Sequence, residues 1–168
     1  MRLFIAFCFD ERTKDALTAV QRRLSDCASG RFTERENLHL TLAFLGEVGD
    51  DAAARRTIDE RFCAPVRLEF DRIGTFRRDL YWVGVKPDPI LDALYAGLVA
   101  DLRRAGLSGD WHERLTPHIT LGREVRVREQ PDLAFEPFAM TARRLSLMKS
   151  ERIAGRLTYT EIFGKSAQ

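Results

Sequence analysis

The sequence predicts an α+β fold of two lobes related by a pseudo-twofold axis, and three observations predict it. Short apolar, strand-like runs alternate with amphipathic helical stretches along the chain. The tetrad HLTL at 39–42 returns as HITL at 118–121, differing only by Leu for Ile. The interval from Leu3, in the first strand-like run, to His39 is 36 residues, and that from Trp82, in its own run, to His118 is also 36. A strand, a helix and a tetrad-bearing strand thus occur once in each half, the mark of a duplicated unit.

Residues 3–9 are apolar and aromatic-rich, a buried strand, and Asp10 is placed to cap the helix that follows. From 11 to about 28, Ala16, Leu17, Val20 and Leu24 recur at helical spacing while Lys14, Arg22 and Arg23 take the other side. Gly30 is read as the stop. Residues 38–48 form a second strand and 50–62 an Ala-rich helix whose N-terminal acids suit the helix dipole. Strands at 67–76 and 80–86 make a hairpin with Arg78 and Asp79 in its turn. Pro87 and Pro89 close that strand and open a helix with Ile90, Leu91, Leu94, Leu98 and Leu102 on one face and Gly106 as its end. A loop through Trp111 leads to three further strands, at 118–125, 138–149 and 156–163. No linker or low-complexity stretch divides the chain, so 1–168 reads as one two-lobed domain with one active site.

Hydrophobic residues at 45% and charged residues at 31% match a stably folded globular protein and exclude a disordered one. The first apolar run is cut short by Asp10 and Glu11, too brief for a membrane span and without a signal-peptide cleavage pattern. A cytoplasmic protein with no membrane partner is expected. Cys8, Cys27 and Cys63 are odd in number and unclustered, which suggests neither a disulfide framework nor a zinc site, but buried thiols. The net charge of +2 permits a nucleic-acid substrate without arguing for one. Of 27 basic residues 23 are Arg, whose planar fork suits phosphate, though compositional bias accounts for this more simply.

The tetrads carry the chemistry. Residues two apart on a strand share a face, so His39 and Thr41 point together and Leu40 and Leu42 to the other side; His118 and Thr120 do likewise. Facing one groove across the axis, the two strands offer two imidazoles and two hydroxyls to one small ligand, and a phosphate fits that set. Threonine hydroxyls donate to non-bridging oxygens, one imidazole takes a proton from water, and the other protonates the leaving oxygen, with no metal or cofactor needed. A lone His on an apolar strand is more often a core residue. Two at equivalent positions, in a chain with three His, favour catalysis. The third, His112, lies in a polar stretch and reads as a solvated loop residue. Pairs such as Arg103 with Arg104 and Arg143 with Arg144 read as solvated faces.

These residues resemble the RNA 2′,3′-cyclic phosphodiesterases of the two-histidine phosphoesterase superfamily, also described as LigT-like 2′-5′ RNA ligases. The likeness includes RLFIAF at 2–7, HLTLAFLGEV at 39–48, LYWVGV at 80–85 and TPHITLGR at 116–123, with a weaker C-terminal pattern of Ser150, Gly155 and Tyr159. It implies an α+β fold of two pseudo-symmetric lobes, each an antiparallel-rich β-sheet with helices on its outer face, around a central groove. It also implies a reaction that opens a 2′,3′-cyclic phosphate at an RNA end, possible tRNA fragments included, to leave a 2′-phosphomonoester. By the same resemblance His39 is the proton donor to the 3′ oxygen and His118 the proton acceptor from water. Thr41, Thr120 and Arg123 hold the phosphate. Apart from the resemblance, a monomer is expected. Strict alternation puts Arg123 on the face opposite His118, so its participation requires a twist or bulge, which Gly122 would permit. Alternatives are 2′-5′ ligation of tRNA halves at the same site, action on a small cyclic nucleotide, a binding module without turnover, and a metallophosphodiesterase, for which the sequence offers no clustered ligands.

Overall fold

The computed structural model describes residues 1–168. The elements run β1 (Arg2–Cys8), α1 (Glu11–Cys27), β2 (Ala28–Phe32), β3 (His39–Glu47), α2 (Ala52–Arg61), β4 (Val66–Phe76), β5 (Leu80–Val85), α3 (Pro89–Arg104), β6 (His118–Val127), β7 (Phe138–Ala142), β8 (Arg144–Ile153) and β9 (Arg156–Ser166), with a short 3-10 turn at Arg35–Asn37. Asp10 caps α1, its carboxylate accepting from the Thr13 amide at 2.8 Å, and Asp88 caps α3 behind Pro89. Each such cap contributes about 1 kcal/mol. No helix is long and apolar enough to cross a membrane.

Two wholly antiparallel sheets result, one in the order β3-β1-β8-β9 and the other β2-β6-β5-β4-β7. The run β6-β5-β4-β7 matches β3-β1-β8-β9 position for position, which is the expected pseudo-symmetry, with β2 added beside β6. Alternation along the strands sends one side of both sheets into a single apolar core. Leu3, Ile5 and Phe7 of β1 meet Leu40 and Leu42 of β3, Val83 and Val85 of β5, and Ile119 and Leu121 of β6 there. Full burial of each such Leu, Ile or Phe contributes about 1.5–3 kcal/mol. The helices close that core crosswise. α1 follows β1 but packs on β2 and β6, while α3 follows β5 but packs on β3. Gln21 fastens α1 to the second sheet, its amide donating to the carbonyls of Thr33 (2.8 Å) and Leu121 (2.9 Å).

Five expectations change. Gly30 does not end a helix in a loop: it lies in β2, an edge strand of largely exposed, polar residues that carries no apolar alternation. The stretch 138–149 is two strands in different sheets, since the chain crosses from one sheet to the other at Arg143, between β7 and β8. The matched 36-residue intervals locate the repeat without making Leu3 and Trp82 equivalent. Leu3 pairs with Gly46 and faces the core, whereas Trp82 pairs with Thr120, as Ala6 pairs with Thr41, and lies against His118; the connection from Gly84 to its partner His118 is three residues longer (118 − 84 = 34) than that from Cys8 to its partner His39 (39 − 8 = 31). Of the three cysteines only Cys27 is buried, and Cys8 and Cys63 are exposed. In α3, Ile90 stands outside the apolar face, 62% exposed.

Candidate active site

The faces of β3 and β6 turned away from the core meet in one groove. A section of about 980 Å³ is lined by His39, Thr41, His118, Thr120 and Arg123 together, and so holds all five residues singled out in the sequence. A second section, of about 750 Å³, shares Thr41, His118 and Arg123 and continues toward the β4–β5 turn and the loop around Trp111.

Each imidazole is anchored by the backbone just before its strand. Nδ1 of His39 lies 2.6 Å from the carbonyl oxygen of Asn37, and Nδ1 of His118 lies 2.7 Å from that of Thr116. A carbonyl can only accept, so both Nδ1 atoms carry hydrogen and both Nε2 atoms are left to exchange protons. Aromatic rings bracket them: Phe4 and Tyr159 stand 4.9 and 5.2 Å from the His39 ring, and Phe76 and Trp82 stand 5.0 and 6.4 Å from that of His118. This burial pushes both imidazoles below their ordinary value, partly opposed by the carbonyl bonds. His118 and Arg123 lower His39 further, and Arg123 lowers His118, so one guanidinium acts on both rings.

The side chain of Arg123 reaches the groove because β6 bulges. Between Trp82 and Tyr81 the β5 strand advances one residue while β6 advances from Thr120 to Gly122, leaving Leu121 as the extra residue. The β1–β3 ladder has the same irregularity at the same place: Ala6 pairs with Thr41 and Ile5 with Ala43, leaving Leu42 over. Each bulge resets the alternation just past its Thr. Gly122 serves by closeness, since a Cβ there would lie 3.0 Å from Phe32 and from Val125, and the left-handed residue of β6 is Glu124, at φ 54°.

The reset exposes a residue that alternation hid. Phe44 follows His39 by five residues as Arg123 follows His118, and it too turns into the groove, 42% exposed, with the Arg2 guanidinium 5.1 Å over its ring. That equal offset was the available signal. His112 is exposed and lines the second section, in a loop held to β3 by a bond from Trp111 Nε1 to the Phe44 carbonyl at 2.8 Å. No three His, Cys, Asp or Glu side chains come together as a metal-holding group.

Comparison with known proteins follows the same outline. The model of the 2′-5′ RNA ligase superfamily matches residues 9–154. An RNA 2′,3′-cyclic phosphodiesterase of Archaeoglobus fulgidus is 32% identical over 142 residues, 80% of this chain and 77% of the relative. Another, of Thermotoga maritima, is 34% identical over 143 residues, 79% and 73% of the two chains. Among solved structures, LigT of E. coli complexed with 3′-AMP superposes with a TM-score of 0.79 at 26% identity, covering 99% of this chain and 96% of that one.

Proposed function

The chain belongs to the 2′-5′ RNA ligase superfamily, and from that premise we propose that it hydrolyses 2′,3′-cyclic phosphate ends of RNA to 2′-phosphomonoesters. Relatives that carry the name RNA 2′,3′-cyclic phosphodiesterase support the reaction class. The observation that carries it to these residues is the pair of Nδ1–carbonyl bonds, which leaves two Nε2 atoms and two Thr hydroxyls on one groove.

With the roles that the resemblance assigns, His118 Nε2 takes a proton from water as the water oxygen bonds to phosphorus. The P–O3′ bond breaks, and the departing O3′ takes the Nε2 proton of His39. Water's second hydrogen stays on the phosphate, and the 2′ ester remains. Thr41 and Thr120 donate to the non-bridging oxygens and Arg123 offsets their charge, which grows in the transition state. The bound anion also favours the His39 imidazolium that burial disfavours. None of these steps uses a metal. We read residues 1–168 as one two-lobed domain, supported by the core common to both sheets. It acts as a cytoplasmic monomer on RNA ends such as those of tRNA fragments.

The test is a short RNA ending in a 2′,3′-cyclic phosphate, incubated with wild-type and His39→Ala protein in excess EDTA, with 2′- and 3′-phosphate products resolved. Formation of 2′-phosphate by the wild type alone is expected. A 3′-phosphate product, or loss of activity in EDTA, would overturn the assignment.

A further inference from the structure

We propose that the tip of the β8–β9 hairpin is a subsite for the strand upstream of the reacting end, where Arg152 and Arg156 hold backbone phosphates and make an oligonucleotide a better substrate than a cyclic mononucleotide. This rests on the hydrolase reading and extends it to substrate length.

The larger section of the groove runs from the tetrads along this hairpin, past Tyr159 and Leu157 to Arg156 and Arg152. At about 980 Å³ it lies at the top of the roughly 300–1,000 Å³ range of small-ligand sites. Its charge is also one-sided: five Arg face it against Glu34 and Glu151. The second section sets four Arg against Asp79, Asp110 and Glu124. A strand carrying a negative charge at every linkage is drawn to the more positive side.

The reaction gives the same direction. Water attacks opposite the departing O3′, from the His118 side, so the ribose keeps to the His39 side. That side is walled by β9, whose Tyr159 ring stands edge-on to His39. The 5′-phosphate of the terminal nucleotide then leaves over Leu157 toward the hairpin tip.

The tip has free donors to receive it. Arg152 donates only to its own turn, at the Gly155 carbonyl 3.0 Å away, and Arg156 reaches Glu34 loosely at 3.8 Å. Both are exposed. Ala154 and Gly155 are both left-handed (φ 49° and 79°), as a two-residue hairpin turn requires, so the turn fixes where the two guanidiniums start. Leu157, exposed on the same strand, offers an apolar surface to a sugar or base.

The experiment compares kcat/KM for adenosine 2′,3′-cyclic phosphate and for an oligoribonucleotide with the same terminal nucleotide, using wild type, Arg152→Ala/Arg156→Ala and Arg152→Lys/Arg156→Lys. The wild type is expected to favour the oligonucleotide about tenfold or more at low salt. That ratio should fall as salt rises, by about 0.7 log unit per log unit of salt for each phosphate held. The Ala pair should bring the ratio close to one through KM, and the Lys pair should keep most of it. A wild type that treats both substrates alike, or an Ala pair that retains the ratio, would overturn the subsite alone. A wild type that turns over neither substrate would overturn the hydrolase reading itself.

Discussion

Nε2 of His39 lies 2.8 Å from Oγ1 of Thr41, a contact between the two functional members of one tetrad that His118 and Thr120 do not repeat. Because Nδ1 of His39 already donates to Asn37, the neutral ring accepts from the Thr41 hydroxyl and the protonated ring donates to it. The two tetrads are alike in sequence and differ in their resting hydrogen bonds.

His39→Ala and His118→Ala should each lower turnover by about 10² to 10⁴, the usual contribution of positioned acid–base catalysis. Circular dichroism and the unfolding midpoint should stay near wild type. Their strand neighbours should behave in the opposite sense. Leu40 and Ile119 are fully buried, so Leu40→Ala should cost about 2–5 kcal/mol in denaturant unfolding. Full activity in either His variant would refute the two-histidine mechanism.

Thr41→Val and Thr120→Val should lower kcat/KM by smaller factors than the histidine variants, since each removes one donor to a charge that grows in the transition state. The loss should fall mainly on kcat. A variant that changes KM alone would make the hydroxyl a ground-state contact only.

Burial depresses both imidazoles in the fold. In the window below their ordinary value near 6.5, the unfolded chain therefore binds more protons than the folded one. Stability contributed by the neutral rings is complete above that value and is lost as pH falls through the folded values. NMR titration of the free protein should place His39 and His118 below 6.5, and inorganic phosphate should raise them. Titration at or above the ordinary value would contradict the burial argument.

Asn37 is buried, and besides accepting from His39 it donates through its side-chain amide to the Leu157 carbonyl of β9 at 2.9 Å. Thr116, which accepts from His118 in the same way, is exposed. Asn37→Ala should loosen the His39 ring, lowering kcat with little change in KM and shifting the limb of the pH–rate profile that reports His39. Thr116→Ala keeps its carbonyl and should leave that limb in place. Equal effects of the two substitutions would count against a positioning role for the Asn37 side chain.

The sequence by itself determined the helices, most strands and the two tetrads, because these depend on periods of 3.6 and 2.0 residues and on caps and turns, all local along the chain. Asp10, Pro89 and the apolar residues that alternate beside His39 (Leu38, Leu40, Leu42) and His118 (Ile119, Leu121) signal their own places. What escaped that reading was set between strands. β2 is a largely exposed edge strand without apolar alternation, extended by its pairing with β6. Arg143 separates two strands that are continuous in pattern but belong to different sheets. Phe44 reaches the groove through a bulge at Leu42, and Arg123, which the resemblance names and for which a twist or bulge is expected, reaches it through one at Leu121; a bulge is a mismatch between neighbouring strands that neither strand records alone. The candidate site was therefore legible in residue types at fixed spacing, while the facing of side chains beyond the tetrads was decided by register, which exists only once the sheets are assembled.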